Sequence, residues 1–85
     1  MISQAKLPTA KDIESIIAQI DDNTQLLRLR DVMKIVGIKH SHIYALIKEN
    51  KFPKPIKLSR KNSVWLSTQI TAWKKEAIRT ALLDA

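Results

Sequence analysis

Hydrophobic residues first recur at helical spacing between residues 9 and 20. The apolar positions are i, i+3, i+4 and i+7, which are Ile13, Ile16, Ile17 and Ile20. Thr9 is placed to cap this helix, and Asp21-Asp22-Asn23 to end it, because acids are unfavourable at a helix C-terminus and Asn favours turns. The pattern predicts an amphipathic helix of about residues 9–20. Its stripe suits either the core of the same domain or a dimer interface, and we favour the core.

Two short helices separated by a tight turn are predicted between residues 29 and 50. They follow Leu27-Arg28-Leu29-Arg30, whose alternation allows at most a short extended segment. The first helix has an apolar face of Val32, Met33, Ile35 and Val36. Gly37 ends it, because a residue without Cβ adopts the left-handed C-cap at little cost. The second begins at Lys39-His40-Ser41, ends at Asn50, and has an inner face of Ile43, Leu46 and Ile47. This order is typical of a helix-turn-helix.

A β-hairpin is predicted next. Two prolines, Pro53 and Pro55, exclude a helix there, while Ile56/Leu58 and Val64/Leu66 alternate with their neighbours as strand residues do. Its tip, Ser59-Arg60-Lys61-Asn62, is polar and basic.

A last helix is predicted from about Thr68 to Leu83, with Ser67 as its cap. Its expected buried stripe consists of Ile70, Trp73, Ala77 and Ala81, widened by Ile78 and Leu82. The predicted fold class is mainly α with a small β-hairpin wing, a winged helix-turn-helix. It comprises an N-terminal extension over residues 1–24 and a winged domain over residues 25–85.

Composition narrows the function. The 85 residues suffice for one modest core, and 45% of them are hydrophobic. The chain has no cysteine, which excludes disulfides and thiol nucleophiles, and a single glycine, which excludes glycine-rich phosphate loops. No apolar run approaches the ~20 residues of a membrane span, and no signal peptide opens the chain. We therefore expect a small cytoplasmic protein.

The net charge of +7 is concentrated in one part of the chain. Residues 28–61 contain ten Lys and Arg against two acids, whereas residues 1–24 have a net charge of −2. A surface of solvated lysines is the ordinary interpretation of such a stretch. Ten cations with so little local acid favour nucleic acid as the partner instead, since a polyanion is attracted to a clustered positive field.

In a winged helix-turn-helix the second helix lies in the DNA major groove and the hairpin lies against the adjacent backbone or minor groove. We therefore predict twelve DNA-binding residues, called here the predicted contact set. Its members are Arg28, Arg30, Lys39, His40, Ser41, His42, Tyr44, Ala45, Lys48, Lys57, Arg60 and Lys61.

Plainer interpretations exist for several of these positions. His40 and His42 are by default ordinary surface residues, and Tyr44 can pack its ring on the edge of the core. Both tryptophans, Trp65 and Trp73, lie in apolar patterns and are expected in the core. We predict no metal site, because residues two apart face different sides of a helix and no cysteine completes a ligand set. No catalytic constellation is present, so we expect no enzyme and no cofactor.

The residues of this region resemble the AlpA family of prophage regulatory proteins. The resemblance covers roughly residues 26–75. It rests on Leu27-Arg28-Leu29-Arg30-Asp31-Val32-Met33 with Gly37-Ile38, on Ile43-Tyr44-Ala45-Leu46-Ile47-Lys48, on Phe52-Pro53-Lys54-Pro55-Ile56-Lys57-Leu58, and on Val64-Trp65-Leu66 with Ile70 and Trp73. The family is similar to excisionases and to the DNA-binding domains of MerR-type regulators. The N-terminal helix lies outside the match.

The resemblance implies a small regulator encoded by a prophage or mobile element. Such proteins activate transcription of a recombinase gene, or direct excision by bending attachment-site DNA. The expected partner is double-stranded DNA, with a recombinase (integrase) or RNA polymerase as a protein partner and nucleoid association when bound. One module buries only ~600–1,000 Å² on DNA, so paired sites or a protein partner are expected. Self-association is a further possible interaction, through Ile13, Ile16, Ile17 and Ile20. The alternative to DNA binding is a module that binds only proteins.

Overall fold

Four helices and a three-stranded antiparallel sheet form the part of the chain that the computed structural model describes, residues 10–84. In chain order the elements are α1 (Ala10–Ala18), β1 (Leu26–Leu27), α2 (Leu29–Val36), α3 (His40–Lys48), β2 (Ile56–Ser59), β3 (Asn62–Leu66) and α4 (Ser67–Asp84). This order confirms the predicted class, a mainly helical winged helix-turn-helix. No helix within residues 10–84 combines the length and apolar character needed to cross a membrane.

The sheet has the strand order β1-β3-β2, so the hairpin gains a third strand from the segment that precedes the helix-turn-helix. Leu27 pairs with Trp65 and Lys57 pairs with Ser63; we call their side the inner sheet face. Because strand side chains alternate between faces, the intervening residues lie on the opposite side. This outer sheet face consists of Leu26, Ile56, Leu58, Val64 and Leu66.

The main core lies between the inner sheet face and helices α2, α3 and α4. Its buried members are Leu27, Val32, Ile43, Phe52, Trp65 and Ile70. The predicted inner residues of α3 behave as expected, since Ile43 is fully buried and Leu46 and Ile47 pack beside it. Helix α2 contributes Val32, Met33 and Val36 to the core. The prediction that Ile35 belongs to this buried face is wrong. Ile35 is exposed, because it lies on the far side of this short helix.

The two tryptophans fasten the segment that follows α3. Trp65 Nε1 donates a hydrogen bond to the carbonyl of Pro53, and Trp73 Nε1 donates one to the carbonyl of Lys51, each at 2.8 Å. Phe52 and Trp73 meet edge to face with ring centroids 4.8 Å apart. Both tryptophans are thus structural, as predicted. They hold the connection between α3 and the hairpin against the body of the protein, which sets where the hairpin emerges.

A residue in the left-handed conformation follows the end of α2 and, one residue further along, the end of α3. Gly37 has φ +71° and donates its N–H to the carbonyl of Met33 at 2.8 Å, as the sequence predicted. Asn50 has φ +61° and reverses the chain after α3. Asn is the side-chain-bearing residue that best tolerates this region, because its short amide can hydrogen-bond locally. The two turns together fix the path into and out of α3.

Replacing Gly37 with alanine should lower the free energy of unfolding by about 1–2 kcal/mol, because a Cβ disfavours positive φ. A Cβ built at Gly37 would meet no atom within 4 Å, so the cost lies in the backbone conformation alone. Urea unfolding followed by circular dichroism measures it. Gly37→Asn is the control and should lose less, and an equal loss in both variants would contradict this explanation.

Two predicted apolar stripes differ from the structure. None of the residues of α1 is buried. Its three isoleucines and Ile20, which follows the helix, remain 41–52% exposed, so the expectation that this stripe joins the main core is wrong. Helix α1 instead faces the outer sheet face, across the sheet from the main core. The observed helix is also shorter than predicted, ending at Ala18. The predicted cap, Thr9, lies outside the described residues.

The second half of α4 does not pack. Ile70, Trp73 and Ala77 are buried or half-buried, but Ala81 is exposed, as are Ile78 and Leu82, which were expected to widen the stripe. The reason is length: 18 residues of helix extend about 27 Å, further than the small sheet it crosses. Ser67 does not act as the helix cap that was predicted. It exchanges hydrogen bonds with Gln25, which joins the start of α4 to the segment before β1.

Candidate nucleic-acid interface

Every member of the predicted contact set is exposed. On α3 the fully buried Ile43 defines the inner side. Ser41, Ala45 and Lys48 follow at i, i+4 and i+7 and lie on the opposite side of the helix, facing solvent. His42 and Tyr44 lie on its two flanks. The exposed ridge of α3 is therefore small and polar at its N-terminal end and carries a cation at its C-terminal end.

An open recess brings four members of the predicted contact set together. It has a volume of about 560 Å³ and lies where the start of α2, one flank of α3 and the hairpin meet. Three cations line it, Arg28, Arg30 and Lys61, together with Tyr44. The remaining lining residues are Leu29, Asp31 and Ser63. We call this feature the basic recess.

Asp31 is the single acid of the basic recess, and local structure engages it. Its Oδ2 accepts a hydrogen bond from the backbone N–H of Arg28 at 3.1 Å. The contact closes the first turn of α2, where the carbonyl of Arg28 also accepts from the N–H of Val32. A carboxylate at this position is favourable for the helix, because it faces the positive end of the helix dipole. Three cations against one capping carboxylate leave the recess net positive.

The hairpin turn presents two cations. Arg60 and Lys61 occupy it between Ser59 and Asn62, and the Asn62 side-chain amide braces it by donating to Ser59 Oγ at 2.9 Å. The register of β2 against β3 shifts by one residue between Lys57 and Ser59, which marks a bulge. Of the residues described, only Gly37 and Asn50 have positive φ, so the bulge rather than a left-handed turn residue closes this hairpin.

The other members of the predicted contact set do not line the basic recess. Lys57 is on the inner sheet face opposite Ser63, which does line it. The exposed surface of α3 carries His40, Ser41, His42, Ala45 and Lys48, and Lys39 directly precedes the helix. Arg60 lies in the hairpin turn. The structure thus places the basic recess next to the exposed surface of α3.

Two polar recess residues, Asp31 and Ser63, were missed by the sequence prediction. Asp31 stands three residues after Arg28, which is the spacing of a capping carboxylate, so its role was detectable. Ser63 could not be placed without the pairing register, because the bulge decides which hairpin residues face α2.

The described residues form no group of three or more His, Asp or Glu side chains that could hold a metal ion. Arg28, Arg30 and Lys61 are suited to a different chemistry. Guanidinium and ammonium groups donate several hydrogen bonds to phosphate oxygens and neutralise their charge. Beside them, Tyr44 offers a hydroxyl that can also donate.

A helix-turn-helix with a basic hairpin beside its second helix defines this chain as a winged helix-turn-helix protein. Residues 25–79 match the family described as prophage CP4-57 regulatory protein (AlpA), and the chain belongs to that family. It is a regulatory family and not a family of enzymes. The match confirms the resemblance seen in the residues. The match begins at residue 25, so α1 lies outside it.

One curated relative is the uncharacterized protein ORF88 of Enterobacteria phage P4. It is 41% identical to this chain over 56 residues, and the aligned part is 64% of this chain and 64% of that protein. No solved structure matched the chain.

Proposed function

We propose that this protein is a sequence-specific double-stranded DNA-binding regulator of transcription from a prophage or mobile element. The basic recess carries the proposal: it gathers Arg28, Arg30 and Lys61 from two separate parts of the chain beside Tyr44 of α3. A phosphate bound there would be held from both sides, by α2 and by the hairpin. Membership of the AlpA regulatory family supports the same function.

In this proposal α3 enters the major groove. Ser41, in the first turn of α3, and Ala45, one turn later, are short enough to let the helix approach base edges, with a hydroxyl to donate or accept and a methyl to meet thymine. His40 and His42 add ring nitrogens at the same end. Lys48, one to two turns further along, contacts phosphate. We assign these roles because the side chains are exposed on α3, whereas Ile43 marks its buried side.

The phosphate contacts come from the elements around α3. Arg28, Arg30 and Lys61 hold the backbone at the basic recess, while Lys39 and Lys57 add phosphate contacts outside it. Arg60, at the turn of the hairpin, inserts into the adjacent minor groove, where negative potential attracts arginine. RNA polymerase or a recombinase is the protein partner that we propose for the bound state.

Binding to DNA should weaken steeply with salt. If six or more phosphates are neutralised, the affinity falls by roughly 10³-fold or more between about 50 and 200 mM salt, because each contact releases counterions. Fluorescence anisotropy on labelled duplexes of candidate promoter or attachment-site DNA measures this slope. An affinity that does not change with salt would contradict the proposal.

Footprinting separates the modes of action. A regulator of transcription protects a promoter, and unlabelled duplexes with scrambled sequence compete poorly against it. Protection of an attachment site, together with bending of that DNA, would replace the transcriptional role by a role in excision. Regulatory activity in cells that survives alanine at His42, Lys48 and Arg60 together would favour a module that binds only proteins.

A further inference from the structure

The three cations of the basic recess have no acidic partner in the described part of the protein. Arg28, Arg30 and Lys61 form no ion pair with any acid of residues 10–84. The acid beside them, Asp31, accepts the backbone N–H of Arg28 instead. Cations gathered without a counter-charge repel one another, and an anion between them relieves that repulsion. The basic recess is therefore suited to an anionic ligand.

Two neutral hydroxyls also line the basic recess, those of Tyr44 and Ser63. Tyr44 is 45% exposed and Ser63 is half-buried. Neither hydroxyl has a hydrogen-bond partner among residues 10–84. A hydroxyl in this setting can donate to an oxygen of the anion that the cations attract, and such charge-assisted hydrogen bonds are stronger than neutral ones.

Both hydroxyls stand on a rigid framework. Tyr44 directly follows Ile43, which is fully buried, and Ser63 lies two residues before the fully buried Trp65. Residues two apart point to the same side of a strand, so the packing of Trp65 fixes the direction of Ser63. Lys61 has a flexible stem of four carbons and can follow an anion as it moves. The two hydroxyls therefore decide where in the basic recess the anion is held.

Asp31 limits the ligand to one side of the basic recess. It also lines a second open recess on α2, whose other residues are Gln25, Leu26, Leu27, Lys34 and Ile35. Asp31 thus stands between the two, and its carboxylate repels an anion from that boundary. The side that remains is formed by α3 and the hairpin, which supply Tyr44 and Ser63.

We propose that the basic recess binds one phosphate of the DNA backbone, and that the hydroxyls of Tyr44 and Ser63 position it. This role rests on the DNA-binding function proposed above, and it adds Ser63, which lies outside the predicted contact set, to the residues that contact DNA. Because Tyr44 belongs to α3, a phosphate held by its hydroxyl fixes how far α3 can slide along the major groove. Tyr44 and Ser63 thus set the register of α3 on the bases without contacting a base.

Removing either hydroxyl should lower the affinity for DNA without changing its dependence on salt. Tyr44→Phe and Ser63→Ala should each weaken binding to the duplex defined by footprinting about 10-fold, since a hydrogen bond to a charged group is lost. The salt slope should stay the same, because a neutral group releases no counterions, whereas Lys61→Ala should reduce the slope by about one. Thr80→Ala removes an exposed hydroxyl of α4 and should bind as the natural protein does. Circular dichroism confirms that each variant is folded.

Methylphosphonate linkages locate the phosphate, because each replaces one charged backbone oxygen with a methyl group. At one linkage the substitution should lower the affinity of the natural protein about 10-fold. On that duplex Tyr44→Phe and Ser63→Ala should cause little further loss, since their partner is already altered. At the other linkages both variants should keep their full effect.

Three results would overturn this site. They are an unchanged affinity in both hydroxyl variants, a loss of the same size at every linkage, and a salt slope that falls in Tyr44→Phe as it does in Lys61→Ala. Each would leave the proposed function standing, because the natural protein would still bind the duplex with a steep salt slope. A natural protein with no salt-dependent affinity for any candidate duplex would overturn both the proposed function and this site.

Discussion

Trp65→Ala should cost about 3–5 kcal/mol of the free energy of unfolding, the largest stability loss that we expect from one substitution in this protein. Trp65 is fully buried at the centre of the main core, between the inner sheet face and α2, α3 and α4. Alanine there leaves a large cavity and removes the hydrogen bond to the Pro53 carbonyl. Small domains are stable by only about 5–15 kcal/mol, so the variant should lose a large share of its stability.

Urea unfolding measured by far-ultraviolet circular dichroism tests this expectation, with the fluorescence of the remaining Trp73 as a second probe. Leu82→Ala is the matched control, because it also truncates a large apolar side chain but at an exposed position. Its loss should stay within about 0.5 kcal/mol when the protein is monomeric. Similar losses in the two variants would contradict the position of the core.

The second large effect concerns DNA. Replacing Arg30, Lys48 and Lys61 together with alanine removes one cation from each of α2, α3 and the hairpin turn. If all three neutralise phosphates, the affinity should fall about 100-fold near physiological salt, and the salt slope should decrease by about three. All three side chains are exposed, so the fold should persist. Anisotropy titrations on a single-site duplex at several salt concentrations give both values.

The control removes the same charge elsewhere. Lys11, Lys74 and Lys75 lie on α1 and α4, outside the predicted contact set. Their triple alanine variant has the same net charge as the test variant, but its affinity should stay within a few-fold of the natural protein. Equal losses in the two variants would mean that total charge, and not the placement of the cations, governs binding. That outcome would contradict an interface built around α3.

Local signals in this sequence were informative wherever one residue type suits a conformation much better than others. Gly37 ends α2 in the left-handed region as its lack of a Cβ suggests. Ile43 and the two tryptophans are packed in the core, because apolar residues at helical or strand spacing cannot all face water. The helix-turn-helix and hairpin followed from these signals.

Apolar spacing alone did not show which apolar helix surfaces the fold buries. The stripes of α1 and α4 have the same periodicity as a buried helix, yet Ile17 and Leu82 are largely exposed. Periodicity reports that a helix has an apolar side. Whether another element is long enough and close enough to cover that side depends on the whole fold.

The sequence by itself determined the class of this protein, because the order of helices, turns and strands is encoded by contacts between near neighbours in the chain. It also concentrated the positive charge in residues 28–61. Only the tertiary structure decided which cations share a site. Arg30 and Lys61 are 31 positions apart, and the sheet register and the hairpin bulge bring both to the basic recess. The same register placed α1 on the outer sheet face, since a one-residue shift would exchange the two faces.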